Sequence, residues 1–70
     1  MSRYEVTGTT RTGETFNVGA WDTKAGVRGG LRLFHLRVGG TMYYWVADTR
    51  TGNGYKVTAD GAHLRYDESF

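Results

Sequence analysis

The tetrapeptide TRTG occurs twice, at Thr10–Gly13 and at Thr49–Gly52, and each copy separates two segments in which apolar and polar residues alternate. Alternation with a period of two is typical of β-strands that bury one face. A glycine at such a break can adopt the positive φ angle of a tight turn, which costs other residues more. The repeat therefore predicts two β-hairpins, over residues 3–20 and 41–59.

Two further breaks extend this pattern into a sheet. Gly39–Gly40 and Asp60–Gly61 are typical two-residue hairpin loops, and they predict strands over 31–38 and from residue 62 onward. Pairing across these loops places one apolar set on a single face: Phe34, Leu36, Val38, Tyr43, Trp45, Tyr55, Val57, Leu64 and Tyr66. Because a one-residue slip would divide this set between both faces, the pattern favours this register.

The resulting fold class is all-β, with one small domain over residues 1–70. The N-terminal hairpin is expected to pack on the four-stranded meander, giving a small antiparallel barrel or sandwich of about six short strands. Residues 21–30 connect the hairpin to the meander. Asp22 could cap a single helical turn there, but Gly26, Gly29 and Gly30 favour a mobile loop. The chain has no cysteine, so stability must come from aromatic packing, self-association or a partner.

The other face of the meander is the candidate functional surface. It is predicted to gather basic and aromatic side chains without a carboxylate among them: His35, Arg37, Tyr44, Lys56, His63 and Arg65. Lys56 is predicted to lie opposite Arg65, and like charges in that position are unfavourable unless an anion binds there. The alternative is a solvated face without a partner, since a half-buried sheet needs a polar outer side.

This composition of the face favours nucleic acid as the partner. Tyr44 or His35 would stack on a base, while Arg37, Lys56 and Arg65 would contact phosphates. No phosphate-binding loop, positioned nucleophile or pair of converging carboxylates is evident in the sequence. We therefore expect a non-catalytic binding module that uses no cofactor and no metal.

A protein-interaction module is the alternative function: an adaptor, or a small inhibitor of a larger macromolecular machine. An acidic protein surface would suit the same face, and Trp21 or an exposed strand edge would serve as well. Trp21 and Arg28 are thus additional contact candidates, although a bulge would make Trp21 a core residue, which is the favoured interpretation. Association of identical chains through edge strands is a third hypothesis.

Charge and hydropathy set weaker limits on the function. The formal net charge is +2, which makes the chain only mildly basic. No apolar run approaches the roughly 20 residues of a membrane span, and the polar N-terminus lacks a signal-peptide core. We therefore expect a soluble, cytoplasmic protein without a membrane partner.

Overall fold

The computed structural model describes residues 2–70 and contains one five-stranded antiparallel sheet and one helix. The sheet order is β2-β1-β3-β4-β5. In chain order the elements are β1 (Tyr4–Thr10), β2 (Thr15–Trp21), α1 (Lys24–Arg37), β3 (Thr41–Asp48), β4 (Gly54–Asp60) and β5 (His63–Tyr66). The prediction of a mostly antiparallel β domain is confirmed, but the sheet is open and does not close into a barrel.

The two TRTG turns are confirmed as hairpin connections. Gly13 has a φ angle of 89° and Gly52 one of 80°, so each glycine adopts the left-handed conformation that the turn requires. The chain reverses between β1 and β2 at the first copy and between β3 and β4 at the second. The repeated tetrapeptide is thus a structural element that connects the strands of two hairpins.

Helix α1 replaces the strand that the sequence predicted over 31–38, and that prediction is wrong. The side chain of Thr23 caps the helix by accepting a hydrogen bond from the Gly26 amide at 3.0 Å. Val27, Leu31 and His35, spaced four residues apart, are buried against the sheet. The burial of these side chains on one helix face outweighs the loss of helix stability, about 1 kcal/mol, that each glycine in the helix interior causes.

Strand β1 occupies the position beside β3 in the sheet that the sequence analysis assigned to the predicted strand over 31–38. It pairs with both β2 and β3, so these two strands run parallel to each other, and α1 connects them across one face of the sheet. The predicted packing of the N-terminal hairpin over the meander is therefore wrong, since that hairpin belongs to the same sheet. The helix supplies the covering layer, which is one of the standard ways to bury a sheet face.

The core lies between α1 and one face of the sheet. Its fully buried side chains are Tyr4, Val6, Val27, Leu31, Tyr44, Val46 and Val57. Beside them Phe70 is 7% exposed and packs on three tyrosine rings, with centroids 5.7 Å from Tyr4, 5.3 Å from Tyr55 and 5.6 Å from Tyr66. This aromatic cluster closes the core near β4 and β5.

The predicted registers of all three hairpins differ from the observed ones. In the second, Tyr55 pairs with Val46 and Val57 with Tyr44, whereas the prediction paired them with Trp45 and Tyr43. In the third hairpin, the loop consists of Gly61 and Ala62, and Asp60 pairs with His63. In the first, Phe16 pairs with Gly8, and beyond a bulge between Val6 and Thr7 the ladder shifts by one further residue, so that Tyr4 pairs with Trp21. The slip in the second hairpin turns Tyr43 and Trp45 away from the core.

Candidate functional site

The sheet face opposite α1 is not covered by any element of residues 2–70. We call it the open face and define it by side chains of the four strands β1, β3, β4 and β5: Thr7, Thr9, Tyr43, Trp45, Lys56, Thr58 and Arg65. Because successive side chains of a strand point to opposite faces, these residues alternate with the buried ones. Two aromatic residues, Tyr43 and Trp45, and two cations, Lys56 and Arg65, are among them.

Strand pairing arranges the open face into two adjacent rows. Thr7, Trp45 and Lys56 lie directly opposite one another across β1, β3 and β4. The second row runs through Thr9, Tyr43, Thr58 and Arg65. Hydroxyl groups and aromatic rings therefore lie at the centre of the face, and the two cations lie toward β4 and β5.

Trp45 occupies the middle of the first row and remains 45% exposed. Its indole ring lies directly over Gly54, where any side chain would overlap ring atoms Cζ2 and Cε2. The glycine therefore lets the ring rest against the backbone of β4. An exposed aromatic ring held in this way is a platform on which another planar group can stack.

Tyr43 and Lys56 form a second contact on this face. The Lys56 ammonium lies 4.6 Å from the centroid of the Tyr43 ring, within the range of a cation–π interaction. The predicted like-charge pair is absent, since Lys56 lies opposite Trp45 and Arg65 lies opposite Thr58. The prediction that these two cations share one sheet face is confirmed.

Carboxylates lie at the margins of the open face. Glu5 is paired with Ala47, beyond the row of Trp45, and Asp60 is the last residue of β4. Asp67 follows β5, and its side chain accepts a hydrogen bond from the Ser69 amide at 2.8 Å. The two central rows themselves contain Lys56 and Arg65 as their only charged residues.

His35 and Tyr44 were predicted to lie on the functional face, but both are buried beneath the helix. His35 Nε2 lies 2.7 Å from the carbonyl oxygen of Gly61, and His35 Nδ1 lies 2.6 Å from the Tyr44 hydroxyl. Since a carbonyl only accepts, Nε2 carries the proton donated to Gly61, and Nδ1 is in position to accept from the Tyr44 hydroxyl. Burial raises the pKa of Tyr44, which keeps its hydroxyl protonated as this donor. Both residues therefore have a structural role.

The remaining predicted site residues lie outside the open face. Arg37 is the last residue of α1 and borders a groove between the helix and β2. Arg28 stacks over the rings of Tyr66, at 4.3 Å, and Phe70, at 5.3 Å. His63 begins β5, pairs with Asp60 at the margin of the open face, and also borders a groove between α1 and β5. The single surface predicted from the sequence is thus divided among three places.

Trp21 is a core residue, as the favoured interpretation predicted. It is half-buried, and a bulge in the ladder between β1 and β2 precedes its pairing with Tyr4. Its indole packs so closely on Gly30 that a side chain there would overlap the ring. This contact explains one of the glycines within the helix.

An ion pair anchors the beginning of β1 to the end of β3. Arg3 donates from Nε and Nη2 to the two oxygens of Asp48, at 3.3 and 3.2 Å. The Arg50 amide donates to the same carboxylate at 3.0 Å. The Arg3 hydrogen bond is the main cause that holds the pKa of Asp48 below its usual value. Asp48 itself is buried.

Within residues 2–70, no group of three or more His, Asp or Glu side chains is arranged to hold a metal ion. No helix in this part of the chain is long and apolar enough to cross a membrane. Comparison with protein-family models, with curated proteins and with solved structures finds no match.

Proposed function

We propose that this chain is a non-catalytic binding module whose open face binds single-stranded nucleic acid. The observation that carries the proposal is the exposure of Trp45 at the centre of that face, on a backbone support provided by Gly54. Every nucleobase has a flat apolar surface, and stacking on an aromatic side chain contributes about 1–3 kcal/mol per base. Trp45 is the residue on this face best suited to that contact.

The cations of the open face are placed for phosphate contacts. Lys56 lies beside Trp45 in the same row, and Arg65 ends the neighbouring row. A strand whose base stacks on Trp45 would bring its adjacent phosphates within reach of these two side chains. Thr7, Thr9 and Thr58 would donate hydroxyl hydrogen bonds to phosphate or sugar oxygens, which fix position without reading sequence.

The shape of the face favours a single strand over a duplex. Five strands spaced at about 4.8 Å give a surface about 19 Å wide, without a projecting helix or ribbon that would enter a groove. Bases of a duplex are stacked on one another and cannot reach a flat sheet. An unpaired strand can turn its bases toward Trp45 and Tyr43, as open sheets in general allow.

Fluorescence anisotropy with labelled single-stranded and double-stranded oligonucleotides, at salt concentrations of about 50 and about 200 mM, tests this proposal. We expect saturable binding to the single strand, weaker binding to the duplex, and a loss of affinity with added salt. The slope of log K against log salt should be about −0.7 per phosphate contact. Absence of binding at the lower salt concentration, or a preference for the duplex, would overturn the proposal.

A further inference from the structure

A second surface, distinct from the open face, lies on the helix side of the sheet. Helix α1 packs mainly against β2 and β1, and this leaves a groove of about 400 Å³ between α1 and β5. One wall carries Arg28, Arg32 and Leu36, which are spaced four residues apart along α1. The other wall is formed by β5, with Leu64 and Tyr66 pointing into the groove. Its lining therefore combines apolar side chains with two arginines.

Strand β5 is an edge strand, with a neighbour on one side only. The Asp67 amide donates to the Lys56 carbonyl at 3.2 Å, which continues the ladder in which Arg65 pairs with Thr58. Hydrogen-bonded pairs alternate with non-bonded pairs in an antiparallel ladder, so the backbone N–H and C=O groups of Leu64 and Tyr66 point away from β4. No other segment within residues 2–70 forms a backbone hydrogen bond to them. Such an edge is a template for an added strand.

The charged residues that line the groove are both cations. Arg28 and Arg32 lie on its helix wall, and no carboxylate is among its lining residues. Stacking on Tyr66 and Phe70 holds the Arg28 guanidinium in place. The only ion pair within residues 2–70 joins Arg3 and Asp48, so neither groove arginine has an acidic partner in that part of the chain. Leu36, which is 60% exposed, adds an apolar contact at the opposite end from Arg28.

We propose that the groove between α1 and β5 binds an extended acidic segment of a partner protein, which adds to β5 as a sixth strand. This inference is independent of the nucleic-acid proposal, because it uses the other side of the sheet. Arg28 and Leu36 are separated by eight helical steps, which cover about 12 Å, and four residues of strand cover about 13 Å. A segment paired with β5 therefore matches the row of three helix residues in length, and its side chains on the helix side of the sheet would point toward the open end of the groove. Its inward side chains alternate, with an acidic one near Arg28 and Arg32 and an apolar one between Leu36 and Leu64.

A designed peptide tests this directly. The probe is fluorescein-labelled Ser-Thr-Glu-Thr-Leu-Thr-Glu-Ser, which places glutamate, leucine and glutamate on one face in either strand direction. We expect saturable anisotropy changes at peptide concentrations below about 1 mM. The Arg32→Glu variant should bind at least tenfold more weakly, as should a peptide in which lysine replaces glutamate. Backbone amide spectra should show the Leu64 and Tyr66 N–H groups becoming protected from exchange.

Matched variants distinguish this site from a general attraction of charges. Arg37→Glu makes the same charge change at the end of the same helix, but on the groove that faces β2, and should leave peptide binding within twofold. Lys56→Gln and Trp45→Ala, on the open face, should also leave it unchanged. Equal loss in Arg32→Glu and Arg37→Glu, no saturable binding, or no protection at Leu64 and Tyr66 would overturn the inference. Displacement of the peptide by an oligothymidylate, with the oligonucleotide bound in an Arg32-dependent manner, would assign the groove to nucleic acid instead.

Discussion

The Nδ1 atom of His35 accepts a hydrogen bond from the hydroxyl of Tyr44 over 2.6 Å, in a site where Tyr44 is fully buried and His35 is 9% exposed. Together with the bond to the Gly61 carbonyl, it joins α1 to β3 and to the turn before β5. In Tyr44→Phe the ring of His35 keeps one partner and loses the other. A buried polar atom without a partner costs about 1–3 kcal/mol, so the free energy of unfolding in urea should fall by that amount.

Tyr43→Phe is the matched control for this change, because Tyr43 is the neighbouring residue and lies on the open face. A surface substitution of this kind should change the free energy of unfolding by less than about 0.5 kcal/mol. If Tyr44→Phe were as stable as the unmodified chain, the hydrogen bond to His35 would not contribute to the fold.

Substitution of Trp45 by alanine should weaken binding of a single-stranded oligonucleotide by tenfold or more, because one stacking contact contributes about 1–3 kcal/mol. Met42 is the matched control: it belongs to the same strand and is 47% exposed, compared with 45% for Trp45. Met42→Ala should retain the original affinity in the same anisotropy titration. Similar affinities for the two variants would remove Trp45 from the site.

Removal of the cations of the open face should change the salt dependence of nucleic-acid binding. Lys56→Gln and Arg65→Gln each delete one phosphate contact, so each should reduce the slope of log K against log salt by about 0.7. Arg37→Gln makes the same charge change on α1 and should leave the slope as it was. If Arg37→Gln reduced the slope as much as Arg65→Gln, binding would depend on the net charge of the protein and not on the cations of the open face.

The ion pair between Arg3 and Asp48 predicts a pH-dependent stability. The pKa of Asp48 is lowered in the folded chain, chiefly by the Arg3 hydrogen bond. The contribution of ionised Asp48 to the free energy of unfolding is therefore complete above the unfolded aspartate pKa of about 3.9. It is lost as the pH falls through the lowered pKa of the folded state. Arg3→Gln should reduce the urea midpoint more at pH near 7 than at pH near 2. Arg11→Gln, at an exposed turn, is the control, and equal losses for Arg3→Gln at both pH values would contradict the assignment.

The turns were the part of the fold that the sequence predicted best, for a local reason. A glycine with a positive φ angle ends each TRTG copy, and this preference depends little on the rest of the chain. Helix α1 was missed because Gly26, Gly29 and Gly30 each lower helix propensity. The contact between Trp21 and Gly30 that offsets this cost joins two elements, and a local pattern does not contain it. The helical spacing of Val27, Leu31 and His35 was the signal that indicated the helix.

The candidate site was only partly predictable for a related reason. Lys56 and Arg65 were placed correctly on one sheet face, but Tyr43 and Trp45 were assigned to the core and Tyr44 to the surface. In MYYWVAD both alternating sets are apolar, so the hydrophobic pattern does not distinguish the two faces of β3. The exposure of Trp45 follows from the pairing of Val46 with Tyr55, which tertiary packing decides.

The central position of β1 also has a kinetic consequence. Val6 pairs with Val46, 40 positions later in the chain, so the middle of the sheet forms only after a long loop closes. Contacts of this separation raise contact order, which slows folding relative to a meander in which neighbours pair in sequence. Until β3 joins, the hairpin of β1 and β2 exposes an unpaired, apolar edge at Tyr4 and Val6. Helix α1 connects β2 to β3 and packs on the hairpin of β1 and β2. Once it has packed there, the start of β3 is held close to β1, and the remaining loop to be closed is short.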